Sequence, residues 1–416
     1  MHRDQKRKKI ALVIQRFGSG INGGAEVHAS QIAERLSLNH DLTVLTSCAK
    51  NYDSWLPVFH EGETFENGIR ILRFNHPRRG LPPIQNFKYR ILKSILTALR
   101  PLGVNNYKKS NRWIASMRLE MDELYIRRQG PYTPELIQYI KSERENYDCF
   151  IFFTYLYYPT VFGIQEVPEK SILIPMIHDE PAVYRSIFEK VIHSSRFIFF
   201  NTEAEKTFAE KRFNLSEIDN KIVATGINTP NISNDAGVLE KYKIHTPFIM
   251  YLGRIEEGKG CKKLIEWHAD FCEKEPTAPG LLMVGQNIMK EDIRGRAVFT
   301  GFISEFDKNE LLAQCKAIVV PSEYESLSLC LLEAFALGKP GIVNGKCQVL
   351  KAHIELGNAG WTFEGKTEFE NCLRELVQNP EKAVKYGNNG RNYVTVNYNW
   401  DSIMHSYQNA IDQLTS

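Results

Sequence analysis

Glu325 and Glu333 stand eight residues apart, at the two ends of the segment Glu325-Ser326-Leu327-Ser328-Leu329-Cys330-Leu331-Leu332-Glu333. An apolar run, Ala317-Ile318-Val319-Val320, and the break Pro321-Ser322 come before it. A helix-like stretch, Ala334-Phe335-Ala336-Leu337, follows and stops at Gly338. The order predicts strand, loop, helix, with Glu325 in the loop and Glu333 inside the helix. The first N–H groups of a helix have no partner within it, so such a junction can receive a phosphate. Glu325 can then accept hydrogen bonds from hydroxyls on one side of that phosphate, and Glu333 from hydroxyls on the other. Phosphate between two sets of hydroxyls describes a nucleotide sugar. Two unrelated surface glutamates are the alternative, since short patterns often arise by chance.

Further candidates lie at predicted strand ends. The run Phe248–Leu252 leads into Gly253-Arg254, then Ile255-Glu256-Glu257-Gly258-Lys259-Gly260. Ligands of open α/β sheets bind at the carboxyl ends of strands. Two cations there, Arg254 and Lys259, would neutralise a diphosphate and favour its departure. After the first strand comes Arg16-Phe17-Gly18-Ser19-Gly20-Ile21-Asn22-Gly23-Gly24-Ala25-Glu26, whose paired glycines would let backbone N–H groups approach a ligand. It is not the dinucleotide fingerprint GxGxxG. In Ile174-Pro175-Met176-Ile177-His178-Asp179-Glu180, His178 and Asp179 fall just past another strand. HExxH, GxSxG, a P-loop and Asp-x-Asp are all absent from the sequence. With Arg254 and Lys259 available, no metal is expected for the diphosphate and no cofactor is required.

The elements that would position these residues are short β-branched runs alternating with helical patterns. Strands are expected near 10–14, 42–46, 69–74, 149–154, 171–175, 196–200 and 221–224, then near 247–252, 281–284, 297–300, 317–320, 340–343 and 359–362. Amphipathic stretches such as Ala25–Leu36, Lys262–Glu273 and Asn309–Gln314 lie between them. This alternation predicts an α/β protein with two doubly wound parallel sheets. The aperiodic, turn-rich stretch Gly226–Asp235 marks a boundary, giving domains 1–228 and 229–398. Residues 399–416 read as one further helix, able to pack on either domain.

Two domains suit a chain of 416 residues. A hydrophobic fraction of 43% with 24% charged residues is that of a globular protein, and a net charge of +3 points to no nucleic acid. The eight cysteines form no CxxC pair, so reduced thiols and a cytoplasmic setting are expected. The basic start leads into an apolar run too short for a signal peptide, and the run from Cys149 to Pro159 is too short to span a membrane. One segment stands out. From Arg70 to Trp113 there is no Asp or Glu, while eleven Lys or Arg alternate with apolar residues. Ile84–Leu99 reads as a basic amphipathic helix, which fits an anionic membrane surface or a phosphorylated acceptor at residues 70–113, or a solvated insertion.

Taken in order, Gly23-Gly24-Ala25-Glu26, Gly253-Arg254 with Lys259-Gly260, Gly301-Phe302-Ile303, and Pro321-Ser322 through Glu325 to Glu333 resemble the retaining glycosyltransferases of family 4. The continuation Ala334–Pro340 agrees, and the second half matches more closely than the first. The resemblance implies the GT-B fold, two Rossmann-like domains facing across a cleft, with the nucleotide sugar held by the C-terminal one. It implies diphosphate binding by Arg254 and Lys259, sugar contacts for Glu325, and ribose contacts for Glu333. Main-chain N–H groups around Ser328 and Leu329 would meet sugar and phosphate. Gly253 belongs to the donor loop, the base would stack near Phe302-Ile303, and the Gly23-Gly24 loop would close over the phosphates. His178 matches a histidine beside the donor sugar. The acceptor would be a glycan, a lipid-linked sugar or another cell-envelope component. The sequence departs from the family at Ser326-Leu327-Ser328 and Cys330, which leaves the donor sugar open. A nucleotide-sugar epimerase or phosphorylase of the same fold and an inactive binding subunit are the other readings. No pyridoxal lysine is identifiable, and Arg254, Lys259, Glu325 and Glu333 are all present.

Overall fold

The computed structural model describes residues 7–21, 23–52, 54–77, 80–99, 112–233, 235–245, 247–289 and 297–415. The chain divides into two compact units, Met1–Thr225 with Met404–Ser416, and Gly226–Ile403.

The first unit is built on β1 (Lys9–Val13), β2 (Asp41–Ser47), β3 (Gly62–Glu66), β4 (Ile69–Phe74), β5 (Cys149–Phe153), β6 (Ser171–Ile174), β7 (Phe197–Phe200) and β8 (Asp219–Ile222). Their order in the sheet is β3-β4-β2-β1-β5-β6-β7-β8. Every pair is parallel except β3 with β4. Strands such as Cys149-Phe150-Ile151-Phe152-Phe153 are apolar throughout because helices cover both faces of a central parallel strand. Phe150, Phe152, Tyr155 and Phe188 anchor the core. Burying a side chain of this size contributes roughly 1.5–3 kcal/mol.

Two strands differ from expectation. β3, Gly-Glu-Thr-Phe-Glu, has too little apolar character to read as a strand. Its signal is the turn Asn67-Gly68, both at positive φ, which returns the chain antiparallel onto β4. The last strand covers Asp219–Ile222, earlier than the apolar pattern 221–224. It is an edge strand, held by pairing with β7, and it has little side-chain burial to mark it. The final helix, Trp400–Leu414, sends Tyr407 against Phe199 and Gln408 Oε1 within 2.9 Å of His40 Nε2.

The second unit contains β9 (Phe248–Leu252), β10 (Gly280–Val284), β11 (Ala297–Gly301), β12 (Ile318–Val320), β13 (Gly341–Asn344) and β14 (Gly360–Phe363), ordered β11-β10-β9-β12-β13-β14. All pairs are parallel. Winding reverses between β9 and β12. In a doubly wound sheet the ligand crevice lies beyond the carboxyl ends of the strands at that reversal. Arg254 follows β9, and the loop bearing Glu325 follows β12.

Candidate active site

At the end of β9 the chain turns through Gly253, whose φ of 147° favours glycine. The Tyr251 hydroxyl donates to the Arg254 carbonyl at 2.7 Å, fixing the turn behind the guanidinium. Arg254 Nε lies 3.5 Å from Glu256. A single 3-10 turn, Glu257–Lys259, ends on Gly260 at φ 76°, and the helix Cys261–Lys274 begins there. A Cβ on Gly260 would sit 2.7 Å from the Pro321 carbonyl oxygen, so only glycine lets this corner touch the loop after β12.

That closeness brings Lys259 to Glu325. The ammonium donates to Glu325 Oε1 at 2.8 Å, with the two side chains 30% and 19% exposed. Burial works to lower the Lys259 pKa, but the charge and hydrogen bond of Glu325 outweigh it and leave the pKa raised. Residues 66 positions apart in sequence thus meet at the sheet's reversal point.

The loop Pro321–Ser328 is pinned at both ends. Asn344, at the end of β13, donates its amide to the Pro321 carbonyl at 3.0 Å. His353, on the helix Gln348–Gly357, lies with Nε2 2.9 Å from the Leu327 carbonyl and Nδ1 3.0 Å from the Tyr393 hydroxyl. The carbonyl can only accept, so Nε2 carries the proton and Nδ1 accepts from Tyr393. Burial lowers the His353 pKa to about 4, although the bond to Leu327 opposes it. Ser328 then adopts φ 65°, ψ 70°, a conformation uncommon for a residue with a Cβ, and the helix Leu329–Ala336 starts. No side chain caps that start. The N–H groups of Leu331 and Leu332 turn back to the Ser328 carbonyl. Cys330 is pushed up to about 12, by burial first and then by Glu325, so it packs as a neutral thiol.

Glu333, one turn into that helix, has a different partner. Lys308 Nζ lies 2.9 Å from its Oε1 and 2.7 Å from Glu305. Burial raises the Glu333 pKa, and Lys308 opposes the shift. Lys308 belongs to the helix Glu305–Gln314, capped by the Ser304 hydroxyl. The residues Phe302 and Ile303 lead into it from β11, and Phe302 is exposed. The loop expected to receive a base and the carboxylate expected to receive a ribose are therefore joined through one helix.

The remaining candidates lie in the first unit. Gly23 and Gly24 begin the helix Gly24–Asn39. A Cβ on Gly23 would fall 1.9 Å from Glu26 Oε2, so glycine here leaves room for a buried cluster. In it Glu26 Oε1 accepts from Gln15 Nε2 at 2.9 Å and lies 2.7 Å from Arg16 Nη2. The Thr154 hydroxyl, after β5, donates to Gln15 at 3.0 Å. This joins the ends of β1 and β5, the reversal point of the first sheet. Glu26 was legible only as part of the glycine loop, and Gln15 carried no signal. His178 follows β6, with Nε2 3.7 Å from Glu180 Oε2. Glu180 Oε1 accepts from the Tyr155 hydroxyl at 2.6 Å, and Asp179 from Tyr184 at 2.7 Å. The loop before His178 is held by buried Glu205, which accepts from the N–H groups of Ile177 and Asn201 at 2.7 Å each. Burial pushes Glu205 up to about 8 in spite of those bonds. All eight cysteines are free. Among the described residues no helix is long and apolar enough to cross a membrane.

Residues 240–393 match the family described as glycosyl transferases group 1. That stretch lies inside the second unit. An uncharacterized glycosyltransferase of Methanocaldococcus jannaschii is 22% identical over 247 residues, which is 56% of this chain and 62% of that protein. The chain spans less than two thirds of the length of the curated relatives it matches first. Two solved structures extend the likeness to nearly the whole chain. Sucrose-phosphate synthase from Thermosynechococcus elongatus superposes with a TM-score of 0.67 at 17% identity, covering 98% of this chain and 99% of that one. Anabaena HepE, solved in complex with UDP and glucose, gives 0.66 at 15% identity, covering 98% and 100%. The fold is GT-B, with two Rossmann-like domains, as the sequence resemblance implied.

Proposed function

We propose that this chain is a retaining glycosyltransferase of family 4 that moves a hexose-type sugar from a nucleoside diphosphate donor, without a metal, to a glycan, lipid-linked or other cell-envelope acceptor. The observation that carries the reading is the meeting of Lys259 with Glu325 at 2.8 Å, where the second sheet reverses its winding. The group 1 domain across residues 240–393 supports it. The HepE complex with UDP and glucose, on the same fold, makes a uridine nucleotide the first donor to test.

In this reading the diphosphate sits at the start of the helix Leu329–Ala336. The helix's first N–H groups, Arg254 and Lys259 take up the charge that grows on the leaving phosphate. Arg254 and Lys259 thereby do what a divalent cation would otherwise do. Glu325 accepts from sugar hydroxyls and keeps Lys259 aimed at the phosphate. Glu333 exchanges part of its contact with Lys308 for the ribose hydroxyls, and the base lies on Phe302-Ile303. The resemblance alone assigns His178 to the donor sugar and the Gly23-Gly24 loop to the phosphates. Partition of the work assigns the donor to the second unit and the acceptor to the first.

The test is a screen of UDP-, GDP- and dTDP-hexoses with the purified chain, with and without chelator, following nucleoside diphosphate release and the anomeric configuration of the product. Release that survives chelation, with the donor's anomeric configuration kept, is the expected result. Epimerisation of the donor without transfer would replace this reading with the epimerase. Absence of any turnover, with nucleotide still bound, would replace it with an inactive binding subunit.

A further inference from the structure

The helix Pro83–Ala98 carries two apolar faces, and among the described residues only one of them is covered. Tyr89, Leu92 and Leu96 are buried against Met117 and Leu124 of the neighbouring helix Arg112–Gln129. Ile84, Phe87, Ile91 and Ile95 are 83%, 66%, 42% and 38% exposed. Their spacing of three, four and four residues places them on one stripe, roughly 130° around the helix from the covered face at 100° per residue. A solvated helix would carry polar side chains along this stripe. Four large apolar side chains in line need an apolar partner.

Charge identifies the partner. Lys88 borders the stripe on one side and Arg90 on the other, and Lys88 pairs with Glu120 of the neighbouring helix. Beside the stripe lies a basin of about 770 Å³. Arg90, Lys93 and Arg128 line it, together with Asn86, Ser94 and Thr97. Arg128 is braced over the Tyr89 ring at 5.7 Å. No acidic residue occurs from Arg70 to Trp113, so the helix itself offers nothing to repel an anionic surface. Residues 78–79 and 100–111 of that basic segment lie outside the described residues.

We propose that the helix Pro83–Ala98 lies in the interface of an anionic membrane, with Ile84, Phe87, Ile91 and Ile95 among the acyl chains and Arg90, Lys93 and Arg128 on lipid phosphates. Apolar area along one helix face with cations at its flanks is the pattern of an in-plane interfacial helix. The attraction is electrostatic in part and weakens as salt rises. This inference does not rest on the donor chemistry proposed above.

Co-sedimentation of the full chain with phosphatidylcholine vesicles, with and without phosphatidylglycerol, tests it at low and high salt. The chain should pellet with anionic vesicles at low salt and remain in solution with neutral ones. Phe87→Ser with Ile91→Ser should weaken that binding about tenfold or more, and Arg90→Gln with Lys93→Gln by a similar factor. Both pairs are exposed, so the melting temperature and the thermal shift caused by nucleotide should stay as in the wild type. Equal binding to both kinds of vesicle, binding to neither, or binding unchanged by either pair would overturn the proposal. So would a dimer that dissociates on Phe87→Ser with Ile91→Ser while vesicles are ignored, since the stripe would then seal a second copy. A nucleotide shift lost in Arg90→Gln with Lys93→Gln would also overturn it, by placing this surface in donor binding.

Discussion

Two carboxylates of similar sequence context have been given different surroundings. Glu325 faces Lys259, a cation that the proposed diphosphate would share. Glu333 faces Lys308, which also holds Glu305. The first pair was readable from sequence as two separate candidates. Their contact was not, because it depends on Gly260 allowing the turn to approach Pro321. Lys308 gave no signal at all, since a lysine four residues after a serine cap looks like any solvated helix residue. Arg254 is the most demanding single test at this scale. It lies directly after the turn at Gly253, and its Nε reaches Glu256 at 3.5 Å. Arg254→Ala should lower turnover by about 100-fold or more, the loss typical of removing one transition-state charge stabiliser. Steady-state rates at saturating donor check this, and a turnover within a few fold of wild type would remove Arg254 from the reaction.

The elements matter because they hold the loop Pro321–Ser328 from behind. Asn344 ends β13 and His353 lies on the helix Gln348–Gly357 that follows it, positions to which the sequence assigned no chemistry. The strands themselves were legible, since apolar β-branched runs such as Ile318-Val319-Val320 have few other uses. A histidine such as His353 on an amphipathic helix is indistinguishable from any satisfied core residue until the loop it binds is seen. The role of His353 predicts a pH effect. Its pKa is about 4 in the folded chain and near 6.5 when unfolded. The unfolded chain therefore binds the extra proton first. The stabilising contribution is complete above about pH 6.5 and is lost progressively as pH falls toward 4. A shift of this size corresponds to at most about 3 kcal/mol. His353→Gln keeps a donor for the Leu327 carbonyl and does not titrate. Urea unfolding from pH 7 to 4 should show wild type losing stability relative to this variant across that window. Parallel curves would mean that His353 is not kept neutral by its burial.

Across the whole molecule, most of the proposed donor residues fall in one unit. Arg254, Lys259, Phe302, Glu325, Ser328 and Glu333 all belong to Gly226–Ile403, and His178 and Gly23-Gly24 to the other. The doubly wound architecture could be read from the alternation of apolar runs and amphipathic stretches. The antiparallel β3 could not, because Gly62–Glu66 is polar and its pairing follows from the turn at Asn67-Gly68. The central claim, that Glu333 reads the nucleotide while Glu325 reads the sugar, needs only the donor and no acceptor. Calorimetric titration tests it most directly, using whichever of UDP, GDP or dTDP most raises the thermal stability of the wild type. Glu333→Gln should weaken binding of that diphosphate by at least about tenfold, since a hydrogen bond to a charged group is lost. Glu325→Gln should leave its affinity unchanged or slightly tighter, because Lys259 is released from its carboxylate, while turnover of the matching nucleotide sugar collapses. Loss of diphosphate binding in Glu325→Gln together with normal binding in Glu333→Gln would contradict the account.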